Sequence, residues 1–287
     1  MSRIAYVDGR YVPHKSAHVH IEDRGYQFAD AVYEVVAVKD GRFVDAELHL
    51  ARLHRSLAAL AIAAPMSDRA LLAVLHELAR RNGVENGIVY LQISRGAAPR
   101  DFPFPKGVRP ILVATARRRG LADPRLREIG VAVITIPDRR WARPDIKSVS
   151  LLPNVLGKEA AKEAGAYEAW QLDRDGFVTE GTSTNAWIVT GAGELVTRQA
   201  DHSILNGVTR RGLLHILAEE KLALVERPFS LAEAKAAPEA FLTSATNFVI
   251  PVVKIDGAPV GNGKPGLVTR RLIDAYARYA VAGGQDR

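Results

Sequence analysis

The sequence predicts an α+β chain built in two parts, and three observations carry that expectation. Hairpin signals open the chain and give way to two helical periodicities, a charged stretch bearing Gly and Pro breaks the pattern near residue 120, and strand and helix patterns then alternate to residue 282. Length agrees, because 287 residues carry a prior of about two domains.

In the first part, Tyr6-Val7 and Tyr11-Val12 flank Asp8-Gly9-Arg10, and the alternating run Val32 to Lys39 meets Phe43-Val44 across Asp40-Gly41. Asp-Gly suits the positive φ of tight hairpin turns, so the chain begins as antiparallel sheet. Leu50, Leu53, Leu57 and Leu60 recur at helical spacing, and a second helix starts after Ser67, carries Leu71, Leu72, Leu75 and Leu78, and stops at Asn82-Gly83. Strands resume over Ile88 to Ser94 and Ile111 to Ala116. The domains are placed at 1–118 and 125–287, with 119–124 as linker. In the second part Val131 to Ile136, Glu168 to Leu172, Ala186 to Val189, Leu224 to Glu226, Phe241 to Thr243 and Val249 to Ile255 read as strands. Helical patterns occupy Asn154 to Ala164, Thr209 to Glu220, Ser230 to Ala236 with a Ser230-x-x-Glu233 capping box, and Gly266 to Ala282. This part is mixed, and barrel-like closure is expected.

Composition excludes several classes. Hydrophobic residues at 47% and charged residues at 25% are ordinary for a folded soluble protein, and no apolar run approaches the roughly 20 residues of a membrane span. The opening residues lack an apolar signal segment, and with no cysteine there is neither a disulfide framework nor thiol chemistry; a cytoplasmic protein is expected. The net charge of +7 is spread along the chain, and the 7% of aromatic residues are not interleaved with it, which argues against nucleic acid and leaves a basic field for anionic cofactors and acidic substrates.

The chemistry points to Lys147 and Glu180. A lysine amine condenses with an aldehyde, and a carboxylate holds a pyridine nitrogen protonated, which is the minimal equipment for pyridoxal phosphate (PLP). Taken alone the pair reads as two solvated surface charges, because any chain of this length has many lysines and glutamates. The stretch Ser203 to Arg210 places Gly207 and Thr209 where a loop becomes a helix, offering N–H groups and a positive dipole end to a phosphate, or simply capping the helix. Thr243-Ser244-Ala245-Thr246-Asn247 ends a strand in the same manner, and Arg52 on the first helix offers a bidentate phosphate contact. His14, His18 and His20 lack acidic or cysteine partners, so no metal is expected. Hydrolase elbows, Rossmann glycines and Walker loops do not occur.

Five blocks then carry a resemblance: Glu22 to Val36; Ile93-Ser94-Arg95-Gly96 with Pro99-Arg100; Asp145-Ile146-Lys147-Ser148; Thr179 to Asn185; and Leu205 to Arg210. In this order and spacing they resemble the D-amino-acid aminotransferases of the fold-type IV PLP enzymes. The resemblance implies a smaller N-terminal α/β sandwich domain and a larger C-terminal pseudo-barrel domain, working as a homodimer on amino acids and 2-oxo acids. It implies that Lys147 is the catalytic amine that bonds the cofactor and then moves the proton, and that Glu180 binds the pyridine nitrogen. By the same resemblance Arg52, Gly207, Val208, Thr209, Ser244 and Ala245 surround the phosphate and Leu205 packs on the ring, while Tyr33, Val35, Arg100, Phe102 and Thr184 meet the substrate. Two departures stand out: Ala245 replaces a common threonine, and Phe102 replaces a histidine of the carboxylate trap, a loss of about 1.5 to 3 kcal/mol if nothing compensates. A branched-chain L-aminotransferase, an R-selective amine transaminase and a 4-amino-4-deoxychorismate lyase remain open within the family, and a basic nucleic-acid-binding module outside it.

Overall fold

The computed structural model describes residues 3–220 and 222–281. Residues 1, 2, 221 and 282–287 lie outside it, among them Ala282, the expected end of the last helix. The chain divides into two compact units, residues 3–121 with Ile146–Ser150, and Ala122–Asp145 with residues 151–281.

In the first unit the elements run β1 (Ile4–Val7), β2 (Arg10–Pro13), α1 (Arg24–Phe28), β3 (Ala31–Lys39), β4 (Arg42–Phe43), α2 (Ala46–Ala59), α3 (Asp68–Arg81), β5 (Gly87–Ser94) and β6 (Ile111–Arg118). They form a six-stranded sheet in the order β2-β1-β6-β5-β3-β4, antiparallel throughout. Both Asp-Gly pairs make the expected turns, with φ of +43° and +91° at Asp8 and Gly9 and +49° and +77° at Asp40 and Gly41. Alternation along β3 sends Val32, Val36 and Val38 to one face, where Leu53 and Leu57 of α2 and Leu71, Leu75 and Leu78 of α3 bury them. Tyr33 and Val35 take the other face. Ser67 caps α3 by accepting from Ala70 N–H at 3.4 Å, and the stop residue Asn82 also clamps β1 by exchanging 2.9 and 3.0 Å bonds with Ile4.

β4 covers only the Val38–Lys39 end of the β3 edge. The Ala31–Tyr33 end is covered by a segment from far along the chain: Tyr33 N–H donates to Lys147 O at 3.0 Å and Val149 N–H to Ala31 O at 3.1 Å. Edge pairing thus fixes the backbone that carries Lys147.

The second unit comprises α4 (Pro124–Ile129), β7 (Val131–Pro137), α5 (Leu152–Glu163), β8 (Glu168–Leu172), β9 (Val178–Gly181), β10 (Asn185–Val189), β11 (Leu195–Thr197), α6 (Val208–Glu219), β12 (Leu224–Glu226), α7 (Leu231–Ala236), β13 (Glu239–Ser244), β14 (Phe248–Ile255), β15 (Ala258–Pro259) and α8 (Leu267–Val281). A nine-stranded mixed sheet runs β12-β11-β10-β13-β14-β7-β8-β9, with β15 on β14. Residues 182–184 alone join β9 to β10, so the last strand of this order returns beside the third and the sheet curls, as the pseudo-barrel expectation requires.

Periodicity did not reveal α1, α4, β9, β11 or β15, which are too short to carry it. Asp123-Pro124, read as linker, starts α4: Asp123 accepts from Arg125 N–H at 2.9 Å with proline in the first turn. The capping box forms by half. Ser230 Oγ accepts from Glu233 N–H at 3.1 Å, but the Glu233 carboxylate turns to Arg227.

Candidate functional site

The first unit carries the amine. Lys147 is half-buried, its N–H donating to Ser56 Oγ of α2 at 3.2 Å, and its Nζ stands 4.2 Å from the centroid of the Tyr33 ring. Strand register pairs Tyr33 with Gln92 and Val35 with Tyr90, which brings the Tyr33 and Tyr90 rings to 5.8 Å. Burial, with Tyr33 alongside, pushes the Tyr90 hydroxyl up to about 12, so it stays a neutral donor to Gln92 Oε1 at 2.7 Å. Lys147, Tyr33 and Val35 are thus gathered on one face and one edge of the sheet.

On the opposite face Arg52 donates Nε and Nη2 to the two oxygens of Glu34 at 2.7 Å each, and His49 Nδ1 lies 2.7 Å from Glu34 Oε2. Burial opposes the Glu34 charge, but Arg52 and His49 outweigh it and hold the carboxyl far below its usual range. The guanidinium plane of Arg52 is therefore fixed by a partner that sequence reasoning did not assign. The signal was present, since period-2 alternation set Glu34 opposite Tyr33.

Arg100 and Phe102 are placed elsewhere. Arg24 and Arg95 share Asp30 at 2.8 and 2.7 Å, and Arg24 also donates to the carbonyls of Asp101 and Phe102 at 2.6 and 3.2 Å, anchoring the loop. On it the Arg100 guanidinium lies 5.1 Å and the Phe102 ring 5.5 Å from the Phe28 centroid, with Phe102 75% exposed. Their aromatic partner is Phe28, not Tyr33.

The second unit carries the carboxylate. Glu180 is buried on β9: its Oε1 accepts from Arg140 Nη1 and from Leu205 N–H at 3.0 Å, and its Oε2 accepts from Asn185 Nδ2 at 2.9 Å. Arg140 is gripped in turn by Asp138 at 2.7 Å, to which Thr179 Oγ1 donates at 2.8 Å. Burial raises the Glu180 carboxyl above its usual range, against the pull of Arg140 and the Leu205 N–H. Burial also opposes the Arg140 charge, but Glu180 and Asp138 outweigh it and hold that guanidinium protonated. Arg140, Asp138 and Asn185 were not singled out from sequence. Asn185 lay inside a quoted block, whereas Arg140 gave no signal beyond following a strand.

Asn185 ties the rest of this unit's candidates to Glu180. Its amide also donates to Leu205 O at 2.9 Å, and its backbone pairs with Thr243, one residue before Ser244 and two before Ala245. Helix α6 starts at Val208 after Gly207, with no side chain capping it, so the first N–H groups at Val208 and Thr209 keep their dipole end open to an anion. A Cβ at Gly207 would lie 2.1 Å from Asn185 Oδ1, which explains the glycine. Thr184 is buried and bonded to Glu168 at 3.4 Å.

These donors fit pyridoxal phosphate. A buried carboxylate with fixed partners suits a pyridinium N–H, an uncapped helix start beside a hydroxyl-bearing strand end suits a phosphate, and a half-buried amine suits an aldehyde.

Residues 31–255 match the class IV amino-transferase family. A D-alanine aminotransferase of Bacillus licheniformis is 41% identical over 266 residues, covering 92% of this chain and 93% of that protein. Another, of Staphylococcus haemolyticus, is 38% identical and covers 96% of each. Among solved structures, the Escherichia coli branched-chain amino acid aminotransferase superposes with a TM-score of 0.92 at 22% identity, over 100% of this chain and 97% of that one. The branched-chain aminotransferase of Thermoproteus uzoniensis with norvaline gives 0.89 at 23% identity, over 99% and 97%. At such identities the superpositions establish the fold. The chain belongs to the class IV aminotransferases, enzymes that work with pyridoxal phosphate.

Proposed function

We propose that this aminotransferase moves the amino group of a D-amino acid such as D-alanine to a 2-oxo acid such as 2-oxoglutarate, by ping-pong half-reactions. The observation that carries the reading is full-length similarity at 38–41% to D-alanine aminotransferases, against 22–23% for the branched-chain structures. When bound, the cofactor supplies the electron sink for the carbanion at the substrate Cα. Lys147 Nζ would take the proton from the substrate Cα and hold it for return, and the Tyr33 ring at 4.2 Å would keep the amine in place. Glu180, kept in line by Arg140 and Asn185, holds the proton on the pyridine nitrogen. Arg52, Gly207, Val208, Thr209, Ser244 and Ala245 bind the phosphate, with Ala245 contributing backbone only, and Leu205 packs on the ring. Tyr33, Val35 and Thr184 contact the substrate of their own subunit, and the loop with Arg100 and Phe102, which lies against Phe28 rather than Tyr33, reaches the substrate of the neighbouring subunit.

The working form is a homodimer in the cytoplasm. What supports the dimer is the exposed apolar surface of the Arg24-anchored region, where Ile21, Tyr26, Phe102 and Phe104 are 77, 75, 75 and 61% exposed. Among the described residues no helix is long and apolar enough to cross a membrane. The second domain is assigned to 125–287 and the linker to 119–124, with Ile146–Ser150, which carries Lys147, packing with the first unit.

The test sets D-alanine, L-leucine, an R-configured arylalkylamine and aminodeoxychorismate side by side. D-alanine is expected to turn over fastest, and Lys147→Ala to lose both turnover and the borohydride-sensitive absorbance band. Preference for L-leucine would overturn the substrate assignment, and a retained band in Lys147→Ala would overturn the role of that amine.

A further inference from the structure

Phe102 stands where the resemblance expects a histidine, on a loop that buried side chains hold in place. Arg24 of α1 bonds Asp30 and the carbonyls of Asp101 and Phe102. The same Asp30 holds Arg95, whose guanidinium lies 3.6 Å from the Phe104 ring centroid. Arg24 also lies 4.7 Å from the Phe28 ring centroid, so one guanidinium fixes both the loop backbone and that ring. Arg100 differs from these two arginines. It is exposed, and among the described residues no carboxylate or carbonyl engages its guanidinium. What it meets is aromatic: the Phe28 centroid at 5.1 Å and the Phe102 centroid at 5.8 Å, with the two rings 5.5 Å apart and tilted by 52°. Arg24 and Arg95 spend their charge on Asp30, whereas that of Arg100 is left for a ligand.

A guanidinium is attracted to an aromatic face while its N–H edge stays free, and stacking restricts a side chain that otherwise samples many rotamers. Two rings can therefore pre-order Arg100 without occupying any of its donors, which remain available for two parallel bonds to a carboxylate. A histidine at position 102 would give the anion a further hydrogen bond. A phenylalanine gives it none and acts on the arginine instead. We propose that Phe28 and Phe102 are positioning residues for Arg100: by cation–π contact they hold its guanidinium ready for the carboxylate shared by the amino donor and the 2-oxo acid, in place of the hydrogen bond of the missing histidine. The proposal rests on the reading that Arg100 meets the substrate, and adds to it how this chain recognises the carboxylate without a histidine.

The test is a double-variant cycle on the PLP-loaded enzyme, with D-alanine and 2-oxoglutarate as substrates. Phe28→Leu and Phe102→Leu are each made in the wild type and in Arg100→Ala, and Phe28→Tyr is added as the conservative replacement. Leucine keeps the apolar bulk and removes the aromatic face. Each leucine variant is expected to raise KM for both substrates about fivefold, the scale of one cation–π contact, with kcat moved by less than about twofold. Phe28→Tyr is expected to match wild type. In the Arg100→Ala background the leucine replacements are expected to move KM by less than about twofold, because the rings then have no guanidinium to hold. PLP uptake by each apoprotein, read from absorbance, is expected to stay unchanged. Leucine effects that persist without Arg100, a fall in kcat or PLP uptake in place of the rise in KM, or no effect at all would overturn the proposal while leaving the functional reading intact. Wild-type KM values in Arg100→Ala would overturn it as well, by removing the carboxylate contact on which it rests. A wild type inactive on D-alanine would instead sink the functional reading, and the cycle would then be run with the carboxylate-bearing donor that the wild type does use.

Discussion

Glu34 and Arg52 come from adjacent elements, β3 and α2, and both side chains are buried. Removing one partner of such a pair leaves an uncompensated charge in the interior, so Glu34→Gln is expected to lose about 3–5 kcal/mol of stability at neutral pH. The sign with pH follows from the depressed carboxyl. Its stabilisation is complete above the ordinary value of 4.5, where the unfolded chain is also ionised, and is lost as pH falls from there toward the folded-state value. Denaturant unfolding at pH 7 and at about pH 3.5 should therefore show the gap between wild type and variant narrowing in acid; a constant gap would mean the charge is not what the pair contributes. At this scale Lys147 and Glu180 were legible only through the motif blocks that fall in register around them, since alone they read as two solvated charges. Glu34, Arg140 and Glu168 were not, because a carboxylate or guanidinium in sequence looks the same whether it is solvated or buried against a partner.

At the scale of elements, helix α6 offers its uncapped start because Gly207 leaves room for Asn185. Asn185 cannot yield cheaply, since its amide already bonds Glu180 and Leu205 O at 2.9 Å. Gly207→Ala is therefore expected to displace that amide, weaken PLP affinity about tenfold and cost about 1–3 kcal/mol, measured by fluorescence titration of apoenzyme and by thermal unfolding. Wild-type affinity in this variant would show that the Asn185 contact does not position Glu180. Long elements were legible from period 3.6 or 2, and their caps from Ser67 and Ser230. The five-residue α1 and six-residue α4 are held instead by the side chains of Asp23, accepting from Gly25 N–H at 2.8 Å, and Asp123, neither of which periodicity registers.

At the scale of the whole molecule, the net charge of +7 suits a protein whose cofactor is an anion. Binding a ligand to the folded chain alone stabilises it, by about 4 kcal/mol at a thousandfold excess over the dissociation constant. Removing PLP is accordingly expected to lower Tm by about 8 °C in a scanning experiment, and adding it back to restore the transition. An unchanged Tm would mean that the groups described on α6, β9 and β13 do not hold the cofactor.

The amino-acid sequence by itself determined the α+β class, nearly all the long strands and helices, and the five blocks that mark the family, because periodicity, turn chemistry and motif spacing are local properties. Only the tertiary structure decided which charges stand behind those motifs and where Lys147, the proposed catalytic amine, is tied. Lys147 follows the expected linker in sequence, yet it completes the edge of a sheet laid down more than a hundred residues earlier, with its carbonyl accepting from Tyr33 N–H at 3.0 Å. Backbone pairing across such a separation leaves no periodic trace in the chain, and burial, which turns Glu34, Glu168 and Glu180 from ordinary glutamates into fixed acceptors, exists only once the fold has closed around them.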